Sequence, residues 1–336
     1  MAGMDTDWLT LLCAAALVFS VLNYVLLDGT DLGVGMLMGL TNCSQQRRAM
    51  AVTILPVWDA NETWLVLGGG GLLAMFPLAY AILLPALYVP FIVMFLALIA
   101  RAMALEFRDY AANEQRKRAV DSVLALASLV SGFVQGMVLG TLVQGVAHQG
   151  GQYHGDGRDW LSPFPLFCGL LLVLGYVWLG TCWLYWRTLD ELQRRAARQA
   201  RGLALVIVVL LLVLIAWTAT LQPQYARRLM DVRLGLPAGL LLGVLAAVFA
   251  RGFRRRVDCV PLFAALGVFV LAFAVMLVAV YPYIIPPNLT LGEAAASPNS
   301  QIFMLVGFAV LVPITLAYNT FGFRVFSGKV RVGKHT

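Results

Sequence analysis

Nine stretches of mostly apolar residues follow one another along this chain, at about 8–27, 51–76, 78–100, 120–146, 164–186, 202–221, 234–250, 260–283 and 302–324. Crossing ~30 Å of hydrocarbon at ~1.5 Å per residue takes about 20 residues, so each run has roughly the length of a transmembrane helix. Runs of this length, repeated nine times, leave no room for a soluble interior. Composition agrees: 61% of the 336 residues are apolar and 12% charged, where globular chains carry about 25% charged residues. In lipid every backbone polar group must be satisfied internally, so the expected fold is all-α, an integral membrane protein of nine transmembrane helices. Disordered, secreted disulfide-rich and nucleic-acid-binding classes are excluded.

The basic residues report orientation. Of the 24 Lys and Arg, twenty fall in one alternate set of connections, including Arg47, Arg101, Arg108 and the segment from Arg187 to Arg201. Four fall in the other set: Arg158, Arg227, Arg228 and Arg233. Cytoplasmic loops are the basic ones, which places the N-terminus outside and the C-terminus in the cytoplasm. The whole chain, 1–336, is expected to be a single polytopic membrane domain. Its spacing permits a first half over 1–146, a second over 164–283, and a ninth helix with its tail over 302–336. The five cysteines show no metal-site spacing. No Lys or Arg precedes Arg47, so a basic signal-peptide n-region is not expected.

An ionisable side chain in a span is costly and is a functional candidate by default. Asp28 and Asp31 close the first span, Asp59 and Glu62 lie in the second, Glu106 follows the third and Asp121 opens the fourth. Asp28 and Asp31 are three residues apart, as are Asp59 and Glu62, which puts each pair on one helix face. With the orientation above, all six carboxylates belong to the cytoplasmic half of the first four helices. That seam would pass protons inward between carboxylates and waters. The competing reading makes them fixed partners of Arg47, Arg48, Arg101 and Arg108, and it weighs least on Asp59, which has no arginine nearby in sequence.

The three histidines, His148, His154 and His335, lie outside the spans. Buried haem is normally held by such residues, sometimes with Met, so no haem ligated by this chain is expected, nor any metal. The four-glycine run Gly68–Gly71, with Gly33 and Gly35, favours close helix packing. Pro56, Pro85, Pro90 and Pro313 predict kinks. Gln135 and Gln144 need partners across a helix interface.

Several of these residues fall in longer patterns. Asp28-Gly29-Thr30-Asp31-Leu32-Gly33-Val34-Gly35-Met36-Leu37 resembles the DGxDLGVGML signature of subunit II of cytochrome bd-type quinol oxidases. Arg47-Arg48-Ala49-Met50 follows, and then Pro56-Val57-Trp58-Asp59-Ala60-Asn61-Glu62-Thr63-Trp64-Leu65 resembles the family's P-x-W-D-x-N-x-x-W-L. Arg101, Glu106-Phe107-Arg108, the G-x-x-x-Q-G stretch from Gly140 to Gly145, and Tyr281-Pro282-Tyr283 with Asn288-Leu289-Thr290-Leu291 also match, in order. The shorter second half is similar to the cyanide-insensitive branch.

The resemblance implies a bacterial inner-membrane terminal oxidase that oxidises quinol and reduces oxygen to water. Its haems b and haem d would be held by a larger partner, subunit I, and its protons drawn from the cytoplasm. This chain would fold as two four-helix bundles plus a peripheral ninth helix and hold no catalytic residue of its own. Asp59 would belong to a proton route toward the partner, with Asp28, Asp31, Glu62, Glu106 and Asp121 feeding it. Trp64 would lie near an oxygen path, while Trp58, Asn61, Gly33, Gly35, Arg101 and Gln144 would pack the structure. A structural quinone or lipid and a small accessory membrane subunit are compatible with this reading. The alternative is a proton-coupled secondary transporter. Transporters place broken helices near the midplane of both halves, whereas the acidic residues here occupy one half.

Overall fold

The computed structural model describes residues 7–326 and 328–332, and His335 lies outside them. Thirteen α-helices carry the chain: α1 (Trp8–Gly39), α2 (Ser44–Ile54), α3 (Trp58–Met75), α4 (Pro77–Ala86), α5 (Tyr88–Phe107), α6 (Glu114–Gln144), α7 (Pro163–Arg187), α8 (Asp190–Leu221), α9 (Pro223–Leu229), α10 (Val232–Arg255), α11 (Val260–Val280), α12 (Leu291–Ala294) and α13 (Pro298–Val325). Two small antiparallel hairpins interrupt them, β1–β2 (His148–Gln149, Gln152–Tyr153) and β3–β4 (Tyr283–Ile285, Leu289–Thr290). Among the described residues eight helices are long and apolar enough to cross a membrane: α1, α5 with the short 3-10 turn after it, α6, α7, α8, α10, α11 and α13.

The expected second and third spans need correcting. The run 51–76 is not one helix: the chain turns over residues 55–57, and α2 and α3 lie on either side. Pro56 brings no N–H to the ladder and crowds the preceding turn. The run 78–100 is likewise divided at Leu87, between Pro85 in the last turn of α4 and Pro90 in the first turn of α5. The long helix therefore starts ten residues later than drawn, at Tyr88, and runs through Glu106. The short α4 packs against β2 and α12, covering the hairpin end of the bundle. Helix α1, by contrast, continues unbroken through Asp28 and Asp31 to Gly39. Pro237 and Pro313 are carried inside α10 and α13.

Helix ends follow local chemistry. Asn113 caps α6 by accepting the Arg116 N–H at 2.8 Å, and Asp231 caps α10 through the Arg233 N–H at 2.9 Å. Proline opens α7, α9, α11 and α13, where a missing N–H costs nothing.

Helix α1 is the hub, packing on α3, α6, α7 and α13. Lipid is as apolar as leucine, so helices associate through close fit. The tightest crossing is α1 on α7, where a Cβ on Gly33 would fall onto the Tyr176 carbonyl and one on Gly180 onto the Gly33 backbone. Helices α6 and α7 cross in the same way at Gly136 and Gly169. A large core joins α1, α2, α7, α8 and α11, and a second gathers around Trp64, Phe76 and Phe308.

Candidate functional site

Because α1 stays helical past residue 27, it presents Asp28 and Asp31 to its neighbours well inside the bundle, 0% and 3% exposed. Arg101 of α5 reaches across to meet them. Its Nη1 donates to Asp28 Oδ1 at 2.7 Å and its Nη2 to Glu62 Oε1 of α3 at 2.7 Å. Asp31 accepts instead from Asn61 Nδ2 at 2.7 Å. Three carboxylates from α1 and α3 thus surround one buried guanidinium. Asp28 Oδ2, Asn61 Oδ1 and Arg101 Nε have no partner among the described residues. Buried atoms of this kind are the ones ordered water satisfies.

A neutral chain lies beside this group. Tyr176 donates to Gln135 Oε1 at 2.8 Å, and Gln135 Nε2 donates to the Tyr24 hydroxyl at 2.7 Å. Tyr24 sits one turn before Asp28 on the same face of α1. The Tyr176 ring has room only because Gly29 and Gly132 lack side chains beneath it.

Asp121 belongs to a separate cluster. It accepts from Arg47 Nε at 2.6 Å and from Arg108 Nε and Nη2 at 2.6 and 3.2 Å, with all three residues buried. Arg47 also donates to the carbonyls of Thr41 and Asn42, both at 2.9 Å, so this clamp ties the end of α1 to α2, α5 and α6. Glu106 is exposed and accepts from Trp58 Nε1 at 3.2 Å. Asp59 is exposed in the first turn of α3, with no ion-pair partner among the described residues. Arg48, a candidate partner from sequence, is exposed and makes no such pair either.

Of the six acidic candidates, the structure therefore brings together Asp28, Asp31 and Glu62. It clamps Asp121 separately and leaves Asp59 and Glu106 on the outer face of α3 and α5. Sequence reasoning gave Asn61 a packing role, yet it binds a carboxylate directly; Arg101, weighed both as packing and as a fixed partner of the carboxylates, holds Asp28 and Glu62. It missed Tyr24, although the four-residue spacing from Asp28 signals it. It missed Tyr176 with no local signal available, since α7 is rich in aromatic residues throughout.

Trp64 is fully buried, edge-on to Phe19 with ring centroids 5.6 Å apart, and its Nε1 has no partner. It lines an apolar cavity of about 690 Å3 that also touches Tyr24 and Gln135 and extends between α1, α6, α7, α8 and α11. Gln144 accepts from Ser162 Oγ at 2.7 Å, joining the end of α6 to the start of α7. Of the glycine run, Gly71 packs under Phe308, while Gly69 and Gly70 have nothing within 4 Å. Among the described residues no three or more His, Cys, Asp or Glu side chains are grouped to hold a metal ion. His148 and His154 stand at the β1–β2 hairpin, away from the buried polar groups.

A bundle of apolar helices with glycine crossings around a buried carboxylate–arginine group defines a multi-pass membrane protein. The family profile described as cytochrome bd terminal oxidase subunit II matches residues 9–326, and the chain belongs to that family, whose members are multi-pass proteins of the bacterial inner membrane. It is 28% identical over 341 residues to "Cytochrome bd ubiquinol oxidase subunit 2" of Bacillus subtilis, covering 98% of each chain. It is 26% identical over 348 residues to "Cytochrome bd-I ubiquinol oxidase subunit 2" of Escherichia coli K12, covering 92% of each. A chain of the bd oxidase from Geobacillus thermodenitrificans superposes with a TM-score of 0.78 at 18% identity, over 95% of this chain and 99% of that one, and shares the fold.

Proposed function

We propose that this chain supports a haem-bearing subunit I and supplies that partner with a proton route from the cytoplasm, in a complex that oxidises quinol and reduces oxygen to water. The observation that carries this is Asp59. A carboxylate exposed on the flank of a membrane helix, with no ion-pair partner among the described residues, needs a polar neighbour from elsewhere. Asp59 lies three residues from Glu62, on the same face of α3, and Glu62 is held by the arginine that also holds Asp28. A proton handed from water to Asp59 has Glu62 as its next carboxylate. The unpartnered oxygens of Asp28 and Asn61 offer further positions to bridging water. Glu106 and Asp121 flank the entrance, Asp121 fixed by its two arginines. Redox chemistry belongs to the haems of the partner, and no step of it runs through a residue of this chain.

In this reading the chain crosses the membrane nine times, α2 and α3 together making one crossing and α4 and α5 another, with the N-terminus outside. The two halves and the ninth helix keep the boundaries given above. The exposed face of α3 and α5, with the open space over Gly69 and Gly70, receives subunit I. The cavity beside Trp64 gives oxygen an apolar path or holds a structural quinone or lipid, and a small accessory membrane subunit has room at the periphery. Co-purification tests the reading. A tagged chain drawn from bacterial membranes should bring a haem-bearing membrane subunit at near-equal ratio, and recovery as a haem-free homo-oligomer overturns it.

A further inference from the structure

A basic segment that the proton route does not use lies next to the wall of the apolar cavity. Helix α9 lies across the hairpin end of the cavity and is fastened to its wall on both sides. The Tyr225 hydroxyl donates to the carbonyl of Val143 at 2.9 Å, and Val143 lines the cavity. Arg228 Nη1 donates to the carbonyls of Val278 and Ala279, each at 3.2 Å, between the lining residues Leu277 and Val280. Arg227 stands exposed beside it, and Arg233 follows in the first turn of α10. None of the three arginines has an ion-pair partner among the described residues, and Asp231 between them is engaged in capping α10.

The placement of these charges is unusual for this chain. Only four of its Lys and Arg lie in the basic-poor set of connections, and three of those four are here. Cations on that side run against the general bias, so three without ion-pair partners on a segment fastened beside the cavity wall ask for an anion. The cavity, at about 690 Å3, falls within the usual ~300–1,000 Å3 of ligand sites, and its wall is mostly apolar, with Tyr24, Gln135, Trp64, Tyr281 and Tyr283 as its hydrogen-bonding side chains. We infer that the cavity and the arginines beside it bind one anionic phospholipid, an acyl chain inside and the phosphate against Arg227, Arg228 and Arg233. This deepens the reading of the cavity as a quinone or lipid site. An acyl chain gains nothing by leaving lipid for an apolar pocket, so selectivity comes from the headgroup. Each basic side chain near an anionic lipid is worth about fivefold in binding. Three of them give roughly a hundredfold preference over a zwitterionic lipid.

The test uses the purified complex of both subunits, delipidated in detergent and supplied with phosphatidylglycerol or phosphatidylcholine, with bound lipid counted by native mass spectrometry. Wild type should retain one phosphatidylglycerol with the preference above. Arg227→Gln should lower it about fivefold and Arg227→Gln with Arg233→Gln about twenty-five-fold. Arg228 is kept because it closes the carbonyls of α11. Ala272→Phe, which intrudes into the cavity and leaves the arginines intact, should lower retention of the phospholipid. Equal retention of both lipids, a preference untouched by the arginine variants, or extraction of a neutral quinone in place of phospholipid overturns the inference. The haem spectrum of the same preparation reports separately whether the oxidase partner is present.

Discussion

Replacing Arg101 by methionine removes the charge at the centre of the buried group while keeping an unbranched chain of similar reach. The guanidinium is 2% exposed and makes two 2.7 Å hydrogen bonds, to Asp28 at 0% and to Glu62, whose side chain is 25% exposed. Removing one member of a buried ion pair strands the other, at a cost of about 3–5 kcal/mol. At about 1.4 kcal/mol per factor of ten, the unfolded fraction rises between about a hundredfold and several thousandfold. Most of that cost belongs to Asp28, which keeps no water-facing edge. Arg101→Met combined with Asp28→Asn removes the stranded charge and should recover about 1.5–3 kcal/mol, a coupling within the range for residues in direct contact. Glu62→Gln alone should cost about 1 kcal/mol, because an amide oxygen still accepts from the guanidinium. The assay is denaturant titration of the purified complex in micelles, followed by tryptophan fluorescence and haem absorbance. Arg101→Met within about 0.5 kcal/mol of wild type, or a double variant as unstable as the sum of the singles, refutes the assignment of Arg101 as the group's counter-charge.

Asp59→Asn should leave the packing of this chain's own helices intact, since the side chain is exposed and makes no ion pair among the described residues. It should keep the haem spectrum and lower quinol-driven oxygen uptake severalfold, and unchanged uptake would reduce Asp59 to a structural residue. Gly33→Ala forces a Cβ onto the Tyr176 carbonyl, a backbone atom that cannot swing away. It should cost about 1–3 kcal/mol or more and show as lost yield of assembled complex on size exclusion, and wild-type yield would refute the packing. Glu293 accepts from the Thr290 N–H at 2.9 Å and the Thr290 hydroxyl at 2.7 Å, and these bonds hold its carboxyl below the usual range. A lowered folded pKa adds stability above the unfolded value of about 4.3, lost as pH falls through the folded value. The protection factors of amides 290–294, relative to the intrinsic exchange rate at each pH, should therefore fall as pH drops below about 4 in wild type, while Glu293→Gln, short by about 0.5 kcal/mol, should show no such transition.

The apolar runs made the helices legible, because the bilayer fixes their length and periodicity. The common face of Asp28 and Asp31 was legible too, since it requires only that α1 continue. The break at 55–57 was harder: a proline in an apolar run signals a kink, and whether it becomes two helices depends on what the freed groups meet. The sorting of the carboxylates was out of reach. Arg101 and Asp28 are 73 residues apart, and Arg47 and Asp121 are 74 apart. Which arginine finds which carboxylate is set by how α1, α5 and α6 cross, and α1 is seated on α7 at Gly33, whose neighbour Tyr176 lies more than a hundred residues away.

The break between α2 and α3 also bears on how the chain tolerates Asp59. In an unbroken helix over 51–76 this residue would sit mid-span, where an aspartate costs about 2.5–3.5 kcal/mol by insertion scales. Ending α2 at Ile54 and restarting at Trp58 puts Asp59 in the first turn of α3 instead. The unpaired N–H groups there carry about half a positive charge, and a carboxylate beside them gains roughly 0.3–1 kcal/mol. That offsets about a third of the cost at most. Nothing within the described residues supplies the remainder, since Asp59 makes no ion pair there. The balance has to come from contacts made on assembly. In the reading proposed above, Asp59 is therefore a residue whose surroundings change when the partner docks, and Asp59→Asn is the substitution that tests a proton route between the two subunits.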